Sequence, residues 1–167
     1  KRQFPKIKIT PLLHGGGHEK GYRSGTINVP GIVGLGKASE LANNNLTDYE
    51  NVLQLRKQLE EELCEIEGVT INGHKENRLP NTTNISIDGV DAEALIIKIR
   101  NKFAIASGSA CTSAEVLPSH VIMAMYNNKD KAFSSIRISI GKNTTENEID
   151  NFINDISLKI SKVKSII

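Results

Sequence analysis

A chain of 167 residues, 38% hydrophobic and 24% charged with 4% aromatics and no Trp, reads as about one globular domain with an aliphatic core. Its net charge of +2 is too small to argue for nucleic acid or an acidic membrane surface as partner, and no apolar run approaches the ~20 residues of a membrane span. Its two cysteines, Cys64 and Cys111, are too few for a disulfide framework, so a reducing compartment is the simpler expectation. The opening Lys1-Arg2-Gln3-Phe4-Pro5 lacks the layout of a secretory signal.

Ile7 and Ile9 suggest a first strand, followed by the glycine-dense His14-Gly15-Gly16-Gly17-His18 and then Arg23-Ser24-Gly25-Thr26. From Gly31 to about Glu67 the pattern is helical. Val52, Leu55, Leu59, Leu63 and Ile66 form one apolar stripe, with Asp48 as expected N-cap and Gly68 as stop. Val69–Ile71 and Asn84–Ile87 read as strands, Ala92–Arg100 as a helix, and Phe103–Ala106 as a third strand. The small-residue stretch from Ser107 to Ala114 reads as a loop, and a short helix follows Pro118 over Ser119–Met125. Ile136–Ile140 alternates as a strand. The last helix opens on a Thr145–Glu148 capping box and carries the stripe Ile149, Phe152, Ile153, Ile156, Ile160 and Val163. The order β-β-α-β-α-β-α defines an α+β layer, a small mixed or antiparallel sheet with helices packed on one face.

Several site patterns fall away on inspection. Gly31-x4-Gly36-Lys37 nearly matches a phosphate-binding loop, but Ala38 stands where Ser or Thr must meet magnesium, and no strand leads into it. Gly34 and Gly36 are better explained by close helix packing. His14 and His18 have the i,i+4 spacing of a helical metal site, yet three intervening glycines oppose a helix and no third ligand is placed to help; no metal is expected. Cys64, beside Leu63, is expected to be a buried or half-buried structural thiol.

Cys111 lies in Ala106-Ser107-Gly108-Ser109-Ala110-Cys111-Thr112-Ser113-Ala114, where small neighbours favour an accessible thiol. No Lys, Arg or His adjoins it in sequence, so spacing alone leaves a reactive thiol and an inert loop cysteine both open. Arg137 sits opposite three isoleucines on its strand, between Ser135 and Ser139. It could clamp a carboxylate bidentately or belong to a plain solvated face.

Taken together, five blocks resemble the NifS/IscS-type cysteine desulfurases of the class-V aminotransferase family. They are His14-Gly-Gly-Gly-His-Glu-x-Gly-x-Arg23-Ser-Gly-Thr26 with Val29-Pro30; Leu79-Pro80-Asn81-x-x-Asn84-x-Ser86; Gly89-Val90-Asp91-Ala-Glu93-Ala94-Leu95; Ser107-Gly-Ser-Ala-Cys111-Thr-Ser; and Ser134-Ser-Ile-Arg137-x-Ser139-x-Gly141. They occur in the family's order and cover most of the chain. The resemblance implies that Cys111 takes sulfur from the substrate as a persulfide and that Arg137 binds the carboxylate of L-cysteine. Thr26 would contact the phosphate of pyridoxal 5'-phosphate across a homodimer.

It also implies a C-terminal portion: residues 1–40 as the tail of the larger cofactor-binding α/β domain and the start of a connecting helix, and 41–167 as the small domain with the cysteine loop. The family's Schiff-base lysine, in a Ser-x-His-Lys segment, has no counterpart among these lysines, so the chain alone is expected to be inactive. Further departures are Leu117 where a glutamate usually precedes the proline, and Tyr126 in place of a common glycine. The implied partners are L-cysteine, a homodimer mate and an iron–sulfur scaffold or other sulfur-acceptor protein, with no nucleic acid or membrane. The implied location is the cytoplasm, or the mitochondrial matrix in a eukaryote. A selenocysteine lyase-like enzyme and a non-catalytic sulfur-carrier module are the alternatives.

Overall fold

A computed structural model describes residues 8–46, 48–108 and 117–164, and the chain divides into two compact units between Asn44 and Asn45. The first unit opens on turns. Residues 8–10 have no regular structure, so the strand suggested by Ile9 is absent there, and Ile7 lies outside the described residues. Helix α1, Val29–Asn44, starts two residues earlier than the pattern predicts because Asn28 caps it. The Asn28 Oδ1 accepts from the Gly31 N–H at 3.1 Å, and a Cβ at Gly31 would meet that amide at 2.8 Å. The near-match Gly31–Lys37 is therefore a helix, not a phosphate-cradling loop. Among the described residues nothing lies within 4 Å of a Cβ built at Gly34 or Gly36, so no described element packs closely on these glycines.

The second unit contains, in order, α2 (Asp48–Cys64), β1 (Val69–Ile71), β2 (Thr82–Ile87), α3 (Ala92–Ile99), β3 (Ala106–Ser107), α4 (His120–Tyr126), α5 (Lys129–Phe133), β4 (Ser135–Ser139) and α6 (Glu146–Lys164). Asp48, expected as the N-cap, is the first residue of α2. The strands form one antiparallel sheet in the order β1-β2-β4-β3. Gly68, at φ +85°, turns the chain from α2 into β1, where a Cβ would press on the Lys164 ammonium at 3.0 Å.

Period-two alternation gives the sheet two unlike faces. Ile85, Ile87, Ile136 and Ile138 point into a core closed by Leu59 and Leu63 of α2, Leu95 and Ile99 of α3, and Phe152, Ile156 and Ile160 of α6. The capping box of α6 forms as predicted: the Glu148 N–H donates to Thr145 Oγ1 at 3.3 Å, and the Thr145 N–H donates to Glu148 Oε2 at 2.8 Å. The opposite face carries Thr82, Asn84 and Ser86 of β2 against Ser139, Arg137 and Ser135 of β4.

Helix α5 has no counterpart in the sequence reading. It sits over the Ser86–Ser135 end of the polar face, where the Lys131 carbonyl accepts from Ser135 Oγ at 2.5 Å. Asn128 caps it, accepting from the Lys131 N–H at 3.0 Å. Tyr126 ties α4 to the end of β1: its hydroxyl accepts from the Gly73 N–H at 2.9 Å, and the Lys131 ammonium lies 4.8 Å from its ring centre. The departure from the family's glycine thus has a packing role.

Candidate functional site

Arg137 is the central residue of β4, and its side chain is exposed on the polar face. Its cross-strand neighbours are Asn84 on β2 and Ala106 on β3. Its side chain makes no hydrogen bond or ion pair with any described residue, so its planar fork is available to an external anion. An exposed, unpaired cation is compatible with both readings open from sequence, a carboxylate clamp and a plain solvated strand face.

Cys111 lies outside the described residues. The strand leading toward it is β3, and the described chain resumes at Leu117, two residues before the N-cap of α4. Both anchors are held tightly. Ser107 Oγ donates to the Glu93 carboxylate in the first turn of α3, a helix capped by Asp91 accepting from the Ala94 N–H at 2.8 Å. Gly108 lies against buried Ser119: a Cβ there would overlap the Ser119 Cβ and stand 3.0 Å from its Cα. Ser119 in turn caps α4, accepting from the Ile122 N–H at 3.4 Å. Gly108→Ala should therefore displace the Ser119 backbone and cost about 1–3 kcal/mol of stability, as overpacking does. Urea unfolding of the variant checks this, and an unchanged midpoint would mean the two segments separate freely.

Thr26 belongs to the first unit. The Arg23 guanidinium donates to the carbonyls of Gly25 and Thr26, each at 2.9 Å, and fixes the turn. The Thr26 hydroxyl is left exposed with no partner among the described residues. A fixed turn presenting a free hydroxyl fits a phosphate oxygen. Residues 14–18 are not helical, which removes the i,i+4 geometry from His14 and His18. Among the described residues no group of three or more His, Cys, Asp or Glu could hold a metal ion.

Cys64 departs from expectation, because its side chain is exposed rather than buried. Its thiol is pushed above the ordinary value, first by the part of its surroundings that excludes water, then by the Glu60 carboxylate, with Lys75 opposing. A raised thiol carries little thiolate near neutral pH and is a poor nucleophile.

The LPN segment before β2 is fixed by charge. Glu60 of α2 is shared by two guanidiniums, those of Arg56 at 3.0 Å and of Arg78, while Arg56 Nε donates to the Pro80 carbonyl at 3.0 Å. Sequence reading missed this network, along with Glu93 and Ser119. The only signal was an Arg and a Glu interleaved with the apolar stripe of α2.

The second unit is thus an α+β layer with a four-stranded antiparallel sheet and an arginine side chain exposed and unpaired on its polar face. Residues 7–152 match the Aminotransferase class-V family model, and the chain belongs to that family. It is 43% identical over 167 residues to the cysteine desulfurase IscS of Anaeromyxobacter sp. (strain Fw109-5), covering 99% of this chain and 41% of that relative. It is 42% identical over 166 residues to the protein of that name from Vibrio vulnificus (strain YJ016), with the same coverage. Among solved structures, a NifS-like protein from Rickettsia africae ESF-5 is 37% identical with a TM-score of 0.78, over 93% of this chain and 41% of that one. Another NifS-like protein is 34% identical with a TM-score of 0.79, over 95% and 40%. The chain thus spans about two fifths of the length of the relatives it matches. No helix among the described residues is long and apolar enough to cross a membrane.

Proposed function

We propose that this chain is the C-terminal part of a pyridoxal-phosphate-dependent cysteine desulfurase, in which Cys111 accepts sulfur and Arg137 binds the substrate carboxylate. The observation that carries this reading is the pairing of Ala106 with Arg137, which sets the root of the Cys111 segment beside an unpaired guanidinium. Residues 1–40 are then the tail of the cofactor domain and 41–167 the small domain. The protein acts as a homodimer in the cytoplasm or mitochondrial matrix and passes sulfur to an iron–sulfur scaffold or another acceptor protein.

When bound, pyridoxal phosphate supplies an electron sink for bond cleavage in the amino acid. Thr26 would hold its phosphate through the hydroxyl that Arg23 leaves free. Arg137 fixes the orientation of L-cysteine by its carboxylate. The Cys111 thiolate attacks the substrate sulfur, so that an S–S bond forms and the C–S bond breaks. The electron pair of that bond stays with the carbon skeleton, which takes up a proton and leaves as alanine. Glu93 and Ser119 act at a distance by fixing where the cysteine segment departs and returns.

Two substitutions in the full-length protein test the binding roles. Arg137→Lys keeps the charge but loses the fork, so kcat/KM for L-cysteine should fall about tenfold or more, roughly 1.4 kcal/mol. An unchanged value would return Arg137 to an ordinary strand surface. Thr26→Val should weaken cofactor affinity by about 1.5–3 kcal/mol, the worth of a hydrogen bond to a charged group. Cofactor titration measures it, and equal affinity would remove Thr26 from the phosphate site.

A further inference from the structure

We propose that Asn84 is a second carboxylate-binding residue beside Arg137, held in its donating orientation by the buried amide of Asn72. The inference rests on the reading of Arg137 as the partner of an amino-acid carboxylate and extends that site by one residue.

Ser135 Oγ donates to the Lys131 carbonyl at 2.5 Å, which commits its only proton. With that proton committed, the Ser86 hydroxyl donates to Ser135 Oγ at 3.0 Å or to the Lys131 carbonyl at 3.5 Å. Both hydroxyls are then left as acceptors. Asn72, 5% exposed, meets them with its Nδ2, donating to Ser86 Oγ at 2.7 Å with a longer contact to Ser135 Oγ at 3.2 Å. Its other N–H goes to Asn84 Oδ1 at 2.7 Å.

In the orientation found, the Asn72 Nδ2 meets three oxygens, those of Asn84, Ser86 and Ser135. The Asn72 Oδ1 stays buried without a partner, a cost that the three contacts of its Nδ2 offset. Asn84 therefore faces inward with its oxygen. Its own NH2 group has no acceptor among the described residues.

Asn84 and Arg137 are directly paired in the antiparallel register and share the polar face. Residues so paired have Cβ atoms about 4.5–5.5 Å apart. A carboxylate taken bidentately by the Arg137 fork keeps lone pairs free, and an amide N–H at that distance can fill one. The buried serines and Asn72 thus set the direction of a donor at the surface. The ligand class is a small α-amino acid bound through its carboxylate.

The test uses the full-length, cofactor-loaded protein and steady-state kinetics with L-cysteine. Asn84→Ala should raise KM about tenfold with kcat changed by less than about twofold. Combined with Arg137→Lys, it should raise KM by less than the product of the two single effects, because both act on one carboxylate. Asn72→Asp puts an acceptor where Asn84 now finds a donor, so Asn84 should turn its amide and lose the contact. That variant is expected to match Asn84→Ala, and if it fails to fold, Asn84→Ala decides alone. An unchanged KM in Asn84→Ala while Arg137→Lys raises it would overturn the role of Asn84 and leave Arg137 standing. A fall confined to kcat would overturn it too. No change of KM in either single variant would remove the carboxylate site altogether.

Discussion

Cys111→Ser should abolish sulfur transfer in the full-length protein while leaving the visible absorbance of the bound cofactor intact. A serine hydroxyl cannot form the S–S bond, so the loss should reach the background of the assay. Cofactor absorbance is the matched control, because Cys111 has no assigned part in holding the ring. Cys64→Ser is the second control. Its thiol is raised by partial burial and by Glu60, and it lies at the end of α2, not on the strand that carries Arg137. Turnover in that variant should stay within about twofold of the parent. Full sulfur release by Cys111→Ser would take Cys111 out of the mechanism.

The largest effect on stability is expected at Glu60. Its carboxylate is nearly buried between Arg56 and Arg78, whose side chains are 5% and 15% exposed. Glu60→Ala leaves two guanidiniums facing each other without a counter-charge, and breaking a buried pair from one side costs about 3–5 kcal/mol. Against a total stability of about 5–15 kcal/mol, this is a large share. Urea unfolding of the 167-residue chain should show it as a lower midpoint. Glu60→Gln should lose less, because its amide oxygen can still accept from one arginine. A midpoint unmoved by Glu60→Ala would mean that both arginines find water or other acceptors. The network also predicts a local consequence, since Arg56 holds the Pro80 carbonyl and so the entry to β2.

Much of the fold could be read directly from the sequence, because burial and periodicity coincide in β1, β2, β4 and α6. The stripe from Ile149 to Ile160 is buried, and the three isoleucines of the last strand region lie opposite Arg137 as alternation requires. Reading failed where an apolar pattern reports burial but not hydrogen bonding. Phe103 and Ile105 alternate like a strand, yet they serve the core: Phe103 meets Phe152 edge-on at 5.1 Å, and its N–H still bonds back to Ile99. Ladder pairing begins only at Ala106. Helix α5 is five residues long with one buried side chain, too short for any periodicity to show.

Cys64 was misplaced for a different reason. The buried face of α2 runs through Val52, Arg56, Leu59, Glu60 and Leu63, and the charged pair moves that face away from Cys64. An apolar stripe cannot reveal a face that is part salt bridge. For the site, the motifs named Arg137, Thr26 and Cys111, but strand register cannot be read from one sequence. The partnership of Arg137 with Asn84 and Ala106 therefore emerges only from the sheet. The same holds for the contact of Gly108 with Ser119.

The most direct measurement is the mass of the peptide containing Cys111 after the full-length protein is incubated with L-cysteine and quenched by alkylation. The account predicts that this peptide gains the mass of one sulfur atom, that the gain disappears on reduction, and that the peptide containing Cys64 does not acquire it. Alanine formed with no added sulfur on Cys111, or sulfur found on Cys64 instead, would contradict it.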